Sequence, residues 1–548
     1  MIFNRSNQLI TLLGSTGIVL LICLSFKANF TDGPRGSQHA VTYPAGIRYY
    51  VDAVKGNDRN SGKSVTKPWR TLQKVSNTAF SPGDHILFRS GQTFNGNLII
   101  STSGTKNRPI VYSSYNGKRA AVINGSGLAH AIYAYNKSQF ELNNLAVTNF
   151  KKSPVAKEDL FNGIYIVNED GGTLDHIHFK NIRVFDVNSS HQPKDEGKTD
   201  QTRYYGGVQF YTKGTRVRSS FNDVHVENSI FENLGRTGFN FRSDWDDRSM
   251  HSKFGDDLGN GTKDNWTPNT GVVFRKNIFR SIAGNGLIVR VAKDPLIEYN
   301  LFDSCGTTIS GNAVFNFNTD NCIYQFNEAR NTIYNPGDTD ARGIDSDYRT
   351  KNTIIQYNYL HHNQLGGVTA TGGPGVGPNP TNFNLGTIIR YNIIENNARQ
   401  GAYFSGRVEG LEVYNNVFYA DAKYDDVVVL KLNRWTVYPN GASFRNNIFF
   451  YEGRNPSYSF GNSTNISFSN NLYRGITPPL EFIDALPFLA NPLFQAPGKG
   501  PEGYKLKSIS PAIQSGIVIP HNGTRDYYGN KMSETVKPNI GIYNGIIN

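Results

Sequence analysis

A short unit recurs along the chain and constrains its fold more than any other feature. It consists of an alternation of apolar residues, then Asn, then two residues that are usually apolar. Clear copies are centred on Asn277, Asn300, Asn358, Asn392, Asn416, Asn447 and Asn471, and Asn144, Asn181, Asn228 and Asn327 head looser copies. A second run, often opened by Gly, begins nine residues or more after the Asn, and the next Asn follows about fifteen residues later. The sequence thus repeats about every 24 residues, with two or three short strands in each repeat.

This period predicts an all-β fold, a right-handed parallel β-helix. Each coil of such a solenoid pairs only with the coils above and below it, ~4.8 Å away. Inward Ile, Val, Phe and Tyr side chains would form the core, and an Asn at the same turn of every coil would stack as a ladder. A helical repeat would show a 3.6-residue period with abundant Leu and Ala. A β-propeller would need about four strands in each repeat of ~40 residues or more.

The two ends of a solenoid have to be capped. Residues 69–80 predict a short amphipathic helix that plugs the N-terminal end, and Pro-rich sequence after residue 474 predicts a cap at the other end. We therefore expect four segments: 1–30, a signal peptide or N-terminal anchor; 31–118, the N-terminal cap and first strands; 119–473, the parallel β-helix; and 474–548, the C-terminal cap.

The N-terminal segment and the charge indicate where the protein acts and on what. An apolar run from Leu9 to Phe26 indicates export, so we expect a secreted, cell-surface or periplasmic protein with no membrane contact beyond a possible N-terminal anchor. The formal charge of +12 favours a polyanionic partner. Without a Lys/Arg-rich run, nucleic acid is disfavoured and an acidic polysaccharide is preferred. Cys305 and Cys322 are expected to be buried thiols, and the protein to be a monomer.

Both ends of the chain resemble a known group of proteins. The N-terminal matches are Tyr49-Tyr50-Val51-Asp52, Gly56-Asn57-Asp58, Pro68-Trp69-Arg70-Thr71-Leu72, Pro82-Gly83-Asp84 and Gly91-Gln92-Thr93-Phe94, and the C-terminal ones are Asp526-Tyr527-Tyr528-Gly529-Asn530 and Asn539-Ile540-Gly541-Ile542-Tyr543. These segments are similar to the opening and ending of secreted bacterial right-handed β-helix proteins, which include many polysaccharide lyases and some glycosidases. The resemblance implies an exported protein that acts on polysaccharides.

A polar stripe is expected on the outer face of the strands that the Gly residues open. In a strand, the second and fourth residues after the Gly point outward. The fourth positions in successive coils are Arg242, Arg290, Asn316, Asp347, Thr371, Ser405 and Lys431. The registers of residues 312–318 and 427–431 lack the Gly and are open to a slip. Long insertions flank these strands, so the stripe would form the floor of a groove.

Asp345 and Asp347 lie side by side in this stripe, and their chemistry stays open between alternatives. As two carboxyls ~5–9 Å apart, they could be the acid and base of an inverting glycoside hydrolase. With Asn316 they could instead bind Ca²⁺, which prefers several oxygen ligands. The ion would neutralise a uronate so that a basic group starts β-elimination, and calcium with an Arg or Lys base is the pattern that the resemblance to lyases implies.

The preferred prediction is a polysaccharide lyase acting on an anionic glycan; a hydrolase and a non-catalytic glycan-binding protein are the alternatives. The predicted catalytic residues are Asp345, Asp347, Arg290, Arg242, Tyr403 and Lys431. The predicted substrate-binding residues are Asn316, Asn318, Asn240, Arg342, His361, Arg407, Trp245 and Trp435, and the predicted metal ligands are Asp345, Asp347 and Asn316.

Overall fold

The computed structural model describes residues 46–153, 159–190, 204–248, 265–336, 340–373 and 382–545. The predicted N-terminal signal or anchor lies outside the described residues. No helix of these described ranges is both long and apolar enough to cross a membrane. The two thiols, Cys305 and Cys322, are buried and free, as predicted.

The chain forms a parallel β-helix in which each coil contributes three main strands, and the predicted fold is confirmed. Every inter-strand pairing between these strands is parallel and joins one coil to the next. The first sheet contains Leu98–Ile100, His130–Tyr135, Asn162–Glu169, Gly206–Lys213, Thr237–Ser243, Leu287–Lys293, Val314–Asp320, Arg342–Ser346, Gly366–Gly372, Gln400–Gly406, Val428–Asn433 and Ser457–Ser459. These are the strands that Gly residues usually open.

The other two sheets complete each coil. The second contains Arg48–Val51, His85–Arg89, Ile110–Tyr115, Phe140–Asn143, Thr173–Lys180, Ser220–Glu227, Thr270–Arg275, Leu296–Glu298, Ile323–Gln325, Ile354–Gln356, Ile388–Arg390, Val408–Tyr414, Asn440–Arg445 and Thr464–Ser469, with the short strands Thr350–Lys351 and Asn384–Leu385 alongside. The third contains Thr93–Asn95, Ala121–Asn124, Leu145–Asn149, Arg183–Val187, Ile230–Leu234, Ile278–Ile282, Leu301–Cys305, Glu328–Arg330, Tyr359–His361, Ile393–Glu395, Val417–Ala420, Ile448–Tyr451, Leu472–Arg474 and Phe488–Leu489. The recurring Asn lies between the second and third sheets.

The core is built from side chains that repeat at equivalent positions of successive coils. Phe231, Phe279 and Phe302 stack with ring centroids 4.6 and 4.9 Å apart. All three are fully buried. Burial of apolar area is the main stabilising contribution in such a stack.

The predicted Asn ladder is present, with one correction. The side-chain amides of Asn277, Asn300, Asn327, Asn358, Asn392, Asn416 and Asn447 each donate to the next Asn side chain at 3.0 Å. Successive members are 23 to 34 residues apart, because insertions lengthen some coils. Asn144, Asn181 and Asn228 do not belong to the ladder. They adopt left-handed backbone conformations one residue before the ladder position, which Leu145, Ile182 and Ser229 occupy instead.

Asn358→Ala is expected to lower the free energy of unfolding by about 2–3 kcal/mol. Asn358 accepts from the backbone and the side chain of Asn327 and donates to Asn392, so the alanine leaves buried polar groups on both sides unsatisfied. The midpoint of urea unfolding measures the effect. The control is Asn455→Ala, at an exposed Asn outside the ladder. Equal losses in the two variants would contradict a stabilising ladder.

Both ends of the solenoid are closed. At the N-terminal end, helix Leu72–Ser76 begins after Thr71, whose hydroxyl accepts from the Lys74 N–H, and it buries Leu72 and Val75. At the other end Asp484 terminates the ladder by accepting from the Asn471 amide at 2.7 Å. A short 3₁₀ turn, Leu480–Phe482, precedes Asp484, and the chain after it returns along the outside of the coils with a second 3₁₀ turn, Pro501–Tyr504.

Candidate functional site: a groove on the first sheet

Two columns of side chains cover the outer face of the first sheet. The first column contains Tyr165, Gln209, Asn240, Ile288, Phe315, Asp345, Thr369, Tyr403 and Lys431. The second contains Arg242, Arg290, Phe317, Asp347, Thr371, Ser405 and Asn433, and Asp347 lies opposite Phe317 because its N–H donates to the Asn316 carbonyl. The acidic pair therefore lies between Phe315 and Phe317 in the preceding coil and Thr369 and Thr371 in the following one.

The structure corrects two registers of the predicted stripe. Asn316 does not face the groove: it is fully buried among Thr319, Thr350 and Thr353, to which its amide donates. Its predicted roles as a metal ligand and a substrate contact are therefore wrong. Phe315 and Phe317 take the outward positions, since no Gly fixes the register of this strand.

Lys431 is displaced in the same way. It pairs with Tyr403, in the first column, while Asn433 takes the predicted place beside Ser405. Its ammonium lies 5.9 Å from the centre of the Tyr403 ring. Lys431 and Tyr403 thus contact each other at one end of the groove, and the Tyr403 hydroxyl accepts from the Asn433 amide at 3.0 Å.

Four other predicted residues are engaged within the protein. Asn318 is buried and donates to the Asp246 carbonyl at 2.7 Å, so it anchors a loop. Asn240 is buried and donates to Gln209. His361 lies in the third sheet, outside the groove, against Glu328. Trp245 is only 5% exposed, which leaves it a packing role in its own loop.

A cavity of about 160 Å³ opens on this face. Its lining includes Tyr204, Arg242, Arg290, Phe317, Tyr348, Arg349 and Asp246. The Arg242 guanidinium lies 4.2 Å from the centre of the Tyr204 ring and 4.3 Å from that of Tyr211. Arg290 packs against Phe317 at 5.2 Å. The cavity is therefore cationic, with aromatic walls.

The loop that follows strand Thr237–Ser243 brings an unpredicted carboxyl, Asp246, into this cavity. Asn318 holds the Asp246 carbonyl, and the Asn318 N–H donates to the Tyr348 carbonyl, so Asp246 lies next to the segment that carries Asp347. Burial raises the pKa of Asp246, while Arg349 and Arg290 partly oppose this. Arg248 fastens the same loop through an ion pair with Asp320 at 2.9 Å.

Asp347 and Asp345 differ in their surroundings. Asp347 is half-buried and accepts from the Thr371 hydroxyl at 2.7 Å and from the Tyr348 N–H at 2.8 Å. Asp345 is only 5% exposed and accepts from the Asn312 amide at 3.0 Å. Of the predicted pair, Asp347 is the carboxylate that the groove exposes.

Arginine and tryptophan side chains border the acidic pair. Arg342 is buried, with its guanidinium 4.4 Å from the centre of the Tyr403 ring and donating to Gln400. Arg407, just after strand Gln400–Gly406, donates to Glu409 at 2.9 Å. Trp435 is 38% exposed and packs edge-on against Tyr348 at 5.7 Å.

The sequence prediction missed Asp246, Tyr348, Arg349 and Phe317. Strict alternation with Asp345 and Asp347 would place Tyr348 on the inward face, but the strand ends at Ser346 and Tyr348 lines the cavity. Arg349 adopts a left-handed backbone (φ 64°) just after the strand, and because this conformation is uncommon for arginine, its residue type carries no signal of the turn.

In fold, the chain is similar to β-helix proteins that act on carbohydrates. No family model matches it. It is 22% identical to the lacto-N-biosidase of Bifidobacterium longum over 81% of this chain, but the match spans only 31% of that enzyme. A further match, 28% identical, is the uncharacterized protein YwoF of Bacillus subtilis, with 27% of this chain and 30% of that protein covered.

Solved structures of carbohydrate-binding or carbohydrate-cleaving proteins have a similar fold. The GH136 lacto-N-biosidase of Eubacterium ramulus superposes with a TM-score of 0.58 at 19% identity, covering 81% of this chain and 67% of that one. XylC, solved in complex with xylose, superposes with a TM-score of 0.50 at 12% identity, covering 91% and 99% of the two chains. At these identities the likeness shows a shared fold.

Proposed function

We propose that the protein is a glycoside hydrolase that binds a glycan along the groove of the first sheet. The observation that carries this proposal is that two carboxyls in unlike surroundings lie on the same face of the first sheet. Asp347 accepts two hydrogen bonds, which stabilise its ionised form, whereas burial raises the pKa of Asp246. Glycosidases need one carboxyl of each kind, one charged and one protonated.

The roles follow from this difference. Asp246 protonates the leaving oxygen of the glycosidic bond, and Asp347 acts at the anomeric carbon, either directly or through a water molecule. Thr371 and the Tyr348 N–H hold the Asp347 carboxylate in place. Asp345, buried beside it, remains the alternative partner from the sequence prediction. The anomeric form of the first product, followed by NMR, distinguishes direct attack from attack by water.

The similarity to lacto-N-biosidases supports a hydrolase over a lyase. Two of these proteins match most of this chain, one in sequence and one in structure. The match spans 31% of the Bifidobacterium enzyme. Hydrolase activity is therefore carried over to this chain only as part of the proposal.

One feature favours a second candidate, β-elimination on a uronate-containing glycan. Arg242, Arg290 and Arg349 line one small cavity and suit a carboxylate or another anionic substituent. The calcium site predicted with this chemistry loses one of its three ligands, since Asn316 lies in the core. A lyase would therefore have to rely on the arginines for charge neutralisation.

Two readouts on one panel of neutral and acidic glycans test the proposal. A hydrolase releases new reducing ends without ultraviolet-absorbing unsaturated product, and a chelator leaves its rate unchanged. Unsaturated product would support the lyase instead. No cleavage of any glycan, combined with saturable binding, would leave a glycan-binding protein.

Trp435→Ala is expected to raise KM about tenfold with little change in kcat, equivalent to ~1.5 kcal/mol. The exposed Trp435 ring beside Tyr348 offers an apolar face on which a sugar can stack. Steady-state kinetics on the best glycan of the panel measure the effect. The control is Phe150→Ala, an exposed aromatic outside the groove that is expected to change neither constant. A fall in kcat alone would contradict a binding role for Trp435.

A further inference from the structure

A second cluster of polar side chains lies on the outer face of the second sheet, on different strands from the groove. It contains Glu141, His176, His178, Asp223 and His225. Glu141, His178 and His225 occupy one register position in three successive coils. His176 and Asp223 have left-handed backbones, with φ of 56° and 59°. The cluster is thus built from equivalent positions of adjacent coils.

The geometry of His178, Asp223 and His225 is that of three metal ligands. The Nε2 atoms of His178 and His225 lie 3.0 and 3.2 Å from the same oxygen, Asp223 Oδ1. The three ligand atoms are within 4.8 Å of one another. Zinc bonds of ~2.0–2.1 Å place tetrahedral ligand atoms roughly 3.3 Å apart. Two of the separations are therefore already close to those of an occupied site.

The two imidazoles approach the same carboxylate oxygen side by side. Their rings are stacked 4.5 Å apart and only 2° from parallel. His178 Nε2 is buried 3.0 Å from Asp223 Oδ1. A cation held between the two imidazole nitrogens and Oδ1 would account for their convergence on one oxygen.

His176 and Glu141 hold the carboxylate in position. His176 Nδ1 lies 2.9 Å from Asp223 Oδ2 and its Nε2 lies 3.1 Å from Glu141 Oε1, both with hydrogen-bond geometry. This chain of contacts engages Oδ2 and leaves Oδ1 facing His178 and His225. Carboxylate and imidazole partners of this kind commonly orient metal ligands.

The cluster also ends sharply. In the next coil Val273 lies opposite His225, and Gly271 takes the place equivalent to Asp223. Valine and glycine offer no metal-binding side-chain atom. The ligand-bearing residues are therefore confined to adjacent coils and do not form a diffuse polar face.

We propose that His178, Asp223 and His225 form a binding site for one zinc ion, or a chemically similar divalent transition metal, with His176 and Glu141 as positioning residues. Two imidazoles and one carboxylate suit zinc, whereas Ca²⁺ prefers oxygen ligands alone. The ligand side chains are 23–37% exposed, so water completes the coordination. The ion joins two adjacent coils of the second sheet, since His178 lies in one and Asp223 and His225 in the next.

The test is zinc binding by the full chain, purified without a polyhistidine tag and treated with chelator. Zn²⁺ is added and the bound metal is measured by mass spectrometry, with Co²⁺ absorption as a report on coordination. The wild type is expected to bind about one Zn²⁺ per chain at this site. His225→Val is expected to lose at least ~100-fold in affinity and His176→Gln ~10–100-fold. Val273 already occupies the position after His225 in this column, so valine suits the fold.

His521→Asn is the matched control. His521 is exposed and outside the cluster, and Asn tolerates its left-handed backbone (φ 54°). Excess Zn²⁺ is expected to raise the Tm of the wild type and of this control, but not that of His225→Val. His178→Ala repeats the test independently, and circular dichroism confirms that each variant is folded. Absence of saturable zinc binding, or equal binding by wild type and His225→Val, would overturn the proposal.

Discussion

Asp347→Asn is expected to lower kcat on the best glycan by at least ~10²–10⁴-fold, with the fold intact. The substitution keeps the shape of the side chain, and its amide oxygen can still accept from Thr371. It removes the negative charge that the proposed reaction requires at the anomeric carbon. Steady-state kinetics and the urea midpoint, measured together, separate loss of chemistry from loss of structure.

Two further variants sharpen this prediction. Asp426→Asn, at an exposed carboxylate outside the groove, is the control and is expected to keep full activity. Asp345→Asn tests the pair predicted from the sequence: a loss equal to that of Asp347→Asn, with Asp246→Asn active, would reassign the acid to Asp345. Full activity of Asp347→Asn would refute the proposed site.

The repeat was sufficient to predict the fold because it has a physical cause, the pairing of buried Asn amides, and because this pairing recurs in successive coils. A buried amide between the second and third sheets needs a partner, and another Asn one coil away supplies it on both sides. Seven such contacts require the same chain geometry at each coil. The predicted capping helix depended on a similarly local signal, the amphipathic stretch after Pro68, although the helix is shorter than residues 69–80 and begins only after Thr71.

The register of single strands was harder to predict. Asp347 was placed on the outer face as expected, because Gly343 fixed the alignment of its coil. Strand Val314–Asp320 has no such marker, and its Asn316 fits a polar network inside the coil as well as a groove outside it. A slip by one residue exchanges the two faces of a strand. Only the packing of Phe315 and Phe317 outside decides between them.

A long-range loop contact accounts for the missed Asp246. Asp246 reaches the groove because Asn318 binds its carbonyl, 72 residues away in the sequence. No periodicity reports such a contact. The histidine cluster was easier to predict from the sequence. His178 and His225 face each other in adjacent coils, so an alignment of the coils on the second sheet would have revealed them.

Asp246→Asn is expected to reduce kcat ~10²–10³-fold on glycans with poor leaving groups, and much less on aryl glycosides whose leaving phenol needs no proton. Burial raises the pKa of Asp246, so its carboxyl stays protonated to higher pH than an ordinary Asp. Wild-type activity should therefore fall on the alkaline side as this proton is lost, and the variant should lack that alkaline limb. Equal losses on both classes of substrate would contradict an acid role.

Stability offers an independent check on the same carboxyl. A group whose pKa is raised in the folded state stabilises the protein below its unfolded pKa, and this contribution disappears as the pH rises through the folded pKa. Asp246 is such a group, because its ionised form is poorly solvated in the cavity. The stability of Asp246→Asn relative to wild type should therefore be greater near neutral pH than in acid. A difference in urea midpoint that does not vary with pH would show that Asp246 ionises like an exposed carboxyl. Such a carboxyl could not serve as the proposed acid.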